Sequence, residues 1–201
     1  MGTPKIIAII RDPFNRAFSA YKHLVRDERE FLPFHEALQK EEERIRNNWE
    51  LIYHYTQASQ YYDCIKAFKE KFPEVLVLLN EDLKNDPQGT FKRIFNFLEV
   101  DSTYQVTDVK QLNKSGKPKS QVLHYGLNGK GMISKIGKPL LRLLVPQADK
   151  RAAVRVAIKN WNLKDIKSSN EEEERLRQYF AEDVLKTGDL IQRDLGHWIS
   201  K

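Results

Sequence analysis

The stretch Ile6–Tyr21, IIAIIRDPFNRAFSAY, limits the fold of this chain more than any other. Its five opening apolar residues, four of them isoleucine, show no polar alternation, which suits a strand covered on both faces of a parallel sheet. The run stops at Arg11, and Asp12-Pro13 follows. Aspartate is a favoured helix cap, and proline suits the first helical position. Phe14, Ala17, Phe18, Tyr21 and Val25 then recur at helical spacing, so the strand turns directly into an amphipathic helix. A strand that ends on a permanent positive charge needs a partner for that charge. In open parallel sheets, ligands gather beyond the carboxyl ends of the strands.

The same grammar continues downstream. Helical patterns are predicted over Phe34–Trp49 and through Gln60, Ile65, Phe68 and Phe72, with Pro73 as the stop. Val75–Leu79 is a second buried-strand candidate, and Asn85-Asp86-Pro87 marks a turn into a helix bearing Phe91, Ile94, Phe95 and Leu98. Strand, helices, strand, helix describes an α/β fold with a parallel sheet covered by helices. A helical C-terminal part follows, with Asn170 as the expected cap and Leu176, Tyr179, Phe180, Val184 and Leu190 facing inward. No repeat and no clear linker is present, so residues 1–201 read as one domain.

The net charge of +6 is unevenly placed. Val109–Ala148 holds no Asp or Glu but carries Lys110, Lys114, Lys117, Lys119, Lys130, Lys135, Lys138 and Arg142, interleaved with glycines. This segment reads as a long functional loop or lid facing an anion, or as a solvated lysine-rich surface. The single cysteine, Cys64, rules out an internal disulfide and any multi-cysteine metal site, and is expected on the inner face of a helix. No apolar run long enough to span a membrane and no signal-peptide pattern occurs, which fits a cytoplasmic chain.

Arg11 can grip a phosphate through two parallel hydrogen bonds. On a helical wheel Ser19 lies roughly 140° from Phe14, off the core stripe, where its hydroxyl could donate to the same anion. The plainer alternative pairs Arg11 with a carboxylate and leaves Ser19 as a surface serine.

RDPFNRAFSAY resembles the 3′-phosphate-binding motif of sulfotransferases that use 3′-phosphoadenosine 5′-phosphosulfate (PAPS), including bacterial and heparan-sulfate-type members. Arg11-Asp12-Pro13, Arg16-Ala17, Ser19 and Tyr21 fall in register with that motif. VLVLLNEDLKNDPQGTFKRIFNFLEV is similar to the family's strand, Glu-Asp-Leu, Asp-Pro and closing Phe-Leu-x-Val segment. QLNKSGKPKS is similar to an Asn-x-Ser-plus-basic segment of bacterial members, and RDLGHW to their terminal Asp-Leu-x-x-Trp.

The resemblance implies a central parallel β-sheet flanked by helices, related to P-loop nucleotide kinases. It implies that Arg11 and Ser19 bind the 3′-phosphate and that Arg16 is structural. Lys117 and Lys119 are candidates to approach the nucleotide's phosphates or an anionic acceptor, with surface lysines as the plainer reading. The implied reaction moves a sulfuryl group from PAPS to a hydroxyl or amine of a small molecule or glycan, leaving 3′-phosphoadenosine 5′-phosphate (PAP). No metal is needed in principle, since cationic side chains and backbone amides can stabilise the charge.

The family's phosphate loop and its usual Glu or His base lie upstream of the Arg-Asp-Pro strand. Only Met1–Lys5 precede that strand here, so the chain is expected to lack that N-terminal portion, and no catalytic base is nominated. His35 and His54 are read as structural, and Tyr53, Tyr55, Tyr61 and Tyr62 as core or helix-face residues before pocket residues. Asn113-Lys114-Ser115 also fits a glycosylation sequon. Two other readings stand beside the enzyme: a non-catalytic nucleotide-binding remnant or partner-dependent subunit, and a basic nucleic-acid-binding module. Tyr125 is the one aromatic of Val109–Ala148, which argues against base stacking there.

Overall fold

A computed structural model describes residues 3–106, 117–127, 145 and 147–200. The two expected strands form. β1 (Ile6–Ile10) and β2 (Val75–Leu79) pair in parallel, in register from Ile6 opposite Val75 to Ile10 opposite Leu79. Among the described residues this parallel sheet has two strands, smaller than the central sheet expected. Burial follows from that size. Leu78 and Leu79 are buried, but Ile9 is 50% exposed, so β1 is not covered on both faces as its sequence suggests.

The described residues cluster into two units. One takes those within Met1–Tyr21, Leu32–Gln111 and Ser168–Lys201, the other those within Lys22–Phe31 and Leu112–Lys167. Helix α1 (Pro13–Arg26), whose residues up to Tyr21 belong to the first unit, begins the crossover from β1 to β2. Phe14, Ala17, Phe18 and Tyr21 are buried as predicted, but the stripe continues through Leu24 and leaves Val25 half-buried. Phe18 and Tyr21 each stand 5.0 Å, centroid to centroid, from Phe34, and Tyr21 stands 6.2 Å from Tyr55. Edge-on and tilted ring contacts of this kind add about 0.5–1.5 kcal/mol per pair to plain burial.

The helix expected over Phe34–Trp49 is two short ones, α2 (Phe34–Gln39) and α3 (Glu41–Arg46). Asn48 ends the second by entering the left-handed region (φ 54°), which asparagine tolerates well. Both charged residues that α3 buries are satisfied. The Glu41 carboxylate accepts from the Thr56 amide at 2.9 Å, the Thr56 hydroxyl at 2.9 Å and the Gln57 amide at 2.9 Å. The Arg44 guanidinium lies 5.1 Å from the Trp49 ring and 5.3 Å from the Tyr53 ring.

α4 (Tyr62–Lys71) buries Ile65, one residue and roughly 100° around the helix from Cys64, which is exposed and not on the inner face. α5 (Asn80–Asn85) follows β2 without a break, and α6 (Pro87–Leu98) begins at the expected turn. Asp86 caps α6 by accepting from the Gly89 amide at 2.9 Å. A Cβ on residue 89 would fall 2.0 Å from the Asp86 carboxylate, so a side chain there would displace the capping carboxylate from this position.

The C-terminal helix spans Asn170–Ile191, and its cap is Ser169, one residue before the expected Asn170. Ser169 and Glu172 form a reciprocal capping box, with bonds of 3.1 and 2.8 Å. Leu176, Phe180 and Val184 face inward as predicted, and Leu190 is half-buried. Tyr179 is 55% exposed, because Phe180 beside it takes the inner face.

In the second unit, β3 (Lys117–Pro118) pairs antiparallel with β4 (Leu163–Lys164). Helices α7 (Gln121–Leu127) and α8 (Ala148–Trp161) accompany them, so Gly126, expected in a loop, lies in a helix; the C-terminal helix Asn170–Ile191 is α9. Buried Asn162 joins the pieces: its side-chain oxygen accepts from the Ser120 amide, and its side-chain amide donates to the Ser120 carbonyl, both at 2.9 Å. Lys110, Asn113, Lys114, Ser115, Lys130, Lys135, Lys138 and Arg142 lie outside the described residues, and with them most of the expected basic lid. No helix among the described residues is long and apolar enough to cross a membrane.

Two substitutions test this packing by urea denaturation. Leu78→Ala, at a fully buried strand position, is expected to cost about 2–5 kcal/mol. Ser169→Ala removes the α9 cap and is expected to cost about 1 kcal/mol.

Candidate anion-binding site

The Arg11-Asp12 turn is built by the end of β1 and the start of α1. Asp12 Oδ1 accepts from the Asn15 amide at 3.0 Å, the expected cap. Asp12 Oδ2 accepts from Arg177 Nη1 of α9 at 2.9 Å. Both carboxylate oxygens are therefore engaged away from the neighbouring Arg11. The Arg11 carbonyl accepts from the Tyr61 hydroxyl at 2.9 Å, so the backbone of the turn is held as well. The Arg11 guanidinium itself, half-buried, has no carboxylate partner among the described residues. Ser19, also half-buried, has no hydrogen-bond partner for its hydroxyl among them. The alternative in which Arg11 is neutralised by a carboxylate is thus not what the described residues show.

Arg16 stands one helical turn before Ser19. Its Nη1 is buried without a hydrogen-bond partner, and burial holds its guanidinium pKa below the ordinary range. Tyr61 and Glu41 offset that effect, while the charge of Arg11 adds to it. The two guanidinium groups are thus close enough to repel each other. Burial pushes the Tyr61 phenol up to about 12, against the opposing pull of Arg16 and Arg11, so the hydroxyl remains a donor to the Arg11 carbonyl.

The tyrosine cluster divides. Tyr53 and Tyr55 are core residues, and Tyr61 holds the turn. Tyr62 lines a cavity of about 540 Å³ with Gln57, Gln60, Cys64 and Tyr179. His54 Nε2 sits 3.1 Å from the Trp49 carbonyl, and His35 stands 3.8 Å from Glu36 and 3.7 Å from Glu172. Lys117 and Lys119 belong to the second unit: Lys117 is exposed on β3, and Lys119 Nζ lies 5.1 Å over the Trp161 ring. No group of residues suited to a metal ion occurs among the described residues.

The turn's two tethers, Tyr61 and Arg177, were not singled out from sequence for this role. Arg177 left a trace there, since an arginine on the flank of the Leu176–Phe180–Val184 stripe with Glu173 one turn earlier marks a buried ion pair. Tyr61 left none. A further link joins the two segments that were matched separately, NEDL and RDLGHW. Arg193 makes a two-pronged pair with Asp82 at 2.9 and 3.0 Å. Glu81 receives the Trp198 indole N–H at 3.1 Å and stands 2.7 Å from His197. Hydrogen bonding to Arg193 holds the Asp82 carboxyl below the ordinary carboxylate range, despite partial burial.

A family model described as a sulfotransferase domain matches residues 2–135. Among solved structures, the chain is similar to the crystal structure of a sulfotransferase from Alicyclobacillus acidocaldarius, with 29% identity and a TM-score of 0.66. The similarity covers 96% of this chain and 57% of that one, so the chain spans little more than half the length of this relative. No match was found among curated proteins.

Tyr61→Phe removes the hydroxyl that holds Arg11, and is expected to cost about 0.5–1.5 kcal/mol at neutral pH. The pH dependence follows from a phenol pKa raised from 10.0 to about 12 on folding. The unfolded chain loses its proton first, so this contribution is present below pH 10.0 and lost as pH rises towards about 12. Denaturation at stepped pH should show a shallower alkaline loss of stability in Tyr61→Phe than in the parent chain.

Proposed function

The chain belongs to the sulfotransferase-domain family, and from that premise we propose that its Arg11–Ser19 site holds the 3′-phosphate of PAPS during sulfuryl transfer to an acceptor hydroxyl or amine. The observation that carries the reading is Arg11 at the carboxyl end of a parallel strand, without a carboxylate partner among the described residues and beside an aspartate whose oxygens are both engaged elsewhere. A guanidinium presents two parallel N–H groups to a phosphate, and Ser19 adds a hydroxyl donor from the next face of α1.

In the overall reaction the bond between sulfur and the phosphate oxygen breaks, a bond from sulfur to the acceptor forms, and the acceptor's proton leaves. The donor supplies the activated sulfuryl group. The chain's residues contribute position and charge: fixing one end of the nucleotide turns a two-body encounter into an oriented one. Lys117 and Lys119 are proposed as further contacts to the nucleotide's phosphates or to an anionic acceptor. The acceptor class, a small molecule or a glycan, stands at the same level.

Calorimetry and thermal denaturation with PAP test the reading. At about one hundred times its dissociation constant, PAP should stabilise the chain by roughly 2.7 kcal/mol. Arg11→Ala should weaken binding on the order of a hundredfold, the scale of a lost charge-assisted pair of bonds, and Ser19→Ala about tenfold. Arg11→Lys should recover only part of the loss, because lysine lacks the planar fork. Absence of any PAP response in the parent chain would remove the reading.

A further inference from the structure

Arg177 lies in α9, beyond the residues 2–135 that the family model matches. It is 4% exposed, and all three of its guanidinium nitrogens donate to protein acceptors. Nε and Nη2 donate to Glu173 Oε1 at 3.0 and 2.9 Å, and Nη1 donates to Asp12 Oδ2 at 2.9 Å and to the Trp198 carbonyl. The ring of Phe14, two residues after Asp12, lies 5.2 Å from the guanidinium carbon.

The second tether of the turn leads to the same helix. Tyr61 donates to the Arg11 carbonyl, and the Tyr61 and Tyr62 amides donate to the Asp183 carboxylate at 2.8 and 3.1 Å. Arg11 and Asp12 are thus held from α9 by two routes, one direct and one through Tyr61.

Asp12 is the carboxylate closest in sequence to Arg11. Any anion that Arg11 binds must compete with it, since opposite charges separated by one peptide unit attract strongly wherever water is partly excluded. Its Oδ1 is committed to the helix cap, and its Oδ2 is committed to Arg177. We propose that Arg177 is a positioning residue for the anion site: it engages Asp12 and so keeps the Arg11 guanidinium open to an incoming phosphate. This rests on the reading of Arg11 and Ser19 as a phosphate site. It adds that the site's affinity is set by a helix more than 150 residues away in the chain.

The role differs from simple stabilisation in one measurable way. If Arg177 acts by occupying Asp12, then neutralising Asp12 should repair the binding defect that loss of Arg177 creates. Asparagine at position 12 keeps the cap acceptor while losing the charge.

PAP binding is measured by calorimetry, well below the melting transition, for the parent chain, Arg177→Met, Arg177→Met with Asp12→Asn, and Val184→Ala. Val184 is a buried residue of the same helix that touches neither Arg11 nor Asp12 by any hydrogen bond, so its truncation reports helix destabilisation alone. Arg177→Met is expected to weaken PAP by about tenfold or more, the double variant to return within about threefold of the parent, and Val184→Ala to bind as the parent does. Where Arg177→Met does not fold, Arg177→Lys takes its place. Lysine keeps the charge without the fork, so partial loss of affinity and the same repair by Asp12→Asn are expected.

A parent chain that fails to bind PAP overturns the phosphate-site reading and this inference together. A parent chain that binds, with Arg177 variants that bind equally well or that Asp12→Asn does not repair, overturns the inference alone. Equal weakening in Val184→Ala also overturns it, because helix stability would then account for the effect.

Discussion

A guanidinium cut off from water must find its hydrogen bonds inside the protein, and the first unit is organised around one that does. Arg177 is satisfied by a carboxylate one helical turn away, by a carbonyl near the C-terminus, and by Asp12 at the other end of the chain. Removing one partner of such a set leaves a buried charge uncompensated, which costs far more than the net worth of the bonds. That asymmetry makes the contact an organiser. The start of α1, the inner face of α9 and the closing turn Gly196–Trp198 must all be in place for Arg177 to be tolerated at all.

Around it, the C-terminal part reaches the ends of both parallel strands. Asp12, just after β1, is held by Arg177, and Glu81 and Asp82, just after β2, are held by Trp198 and Arg193. Asp183 adds a third link by accepting the Tyr61 and Tyr62 amides, which serves as a cap for α4 supplied from another helix. In this sheet the strand ends are where polar groups collect, and the α9 region accounts for most of them. Among the described residues Arg11 is the remainder without a carboxylate partner, and that is the feature on which a sulfuryl-donor site can be argued.

Local features were read well. The IIAII and VLVLL runs are strands in register, Asp12 caps the helix that follows it, the turn expected at Asn85-Asp86-Pro87 opens α6, and the α1 stripe is buried apart from its last member. These signals are short-range: side-chain period, a cap, a proline at the first helical position. Several of the misreadings lie at helix flanks and ends. Tyr179 and Cys64 each lie one residue from an inward-facing neighbour, where about 100° of rotation decides burial. Ser169 displaced Asn170 because Glu172 sits three residues after the serine and completes a reciprocal pair. The long helix expected at Phe34–Trp49 ends at Arg46 because Asn48 takes a left-handed conformation and Trp49 turns back onto Arg44.

By itself the sequence determined the strand–turn–helix order, the Asp12 cap, the core stripe of α1 and the presence of Arg11 and Ser19 at a strand end. Periodicity and propensity act within a few residues, so these are written locally. Only the tertiary structure decided which charges stay free. Asp12 could have paired with Arg11, its neighbour, and pairs with Arg177 instead; Tyr61 could have been another core ring and holds the Arg11 carbonyl. Partner choice among buried polar groups depends on which of them are desolvated together, and that is settled by packing between distant segments.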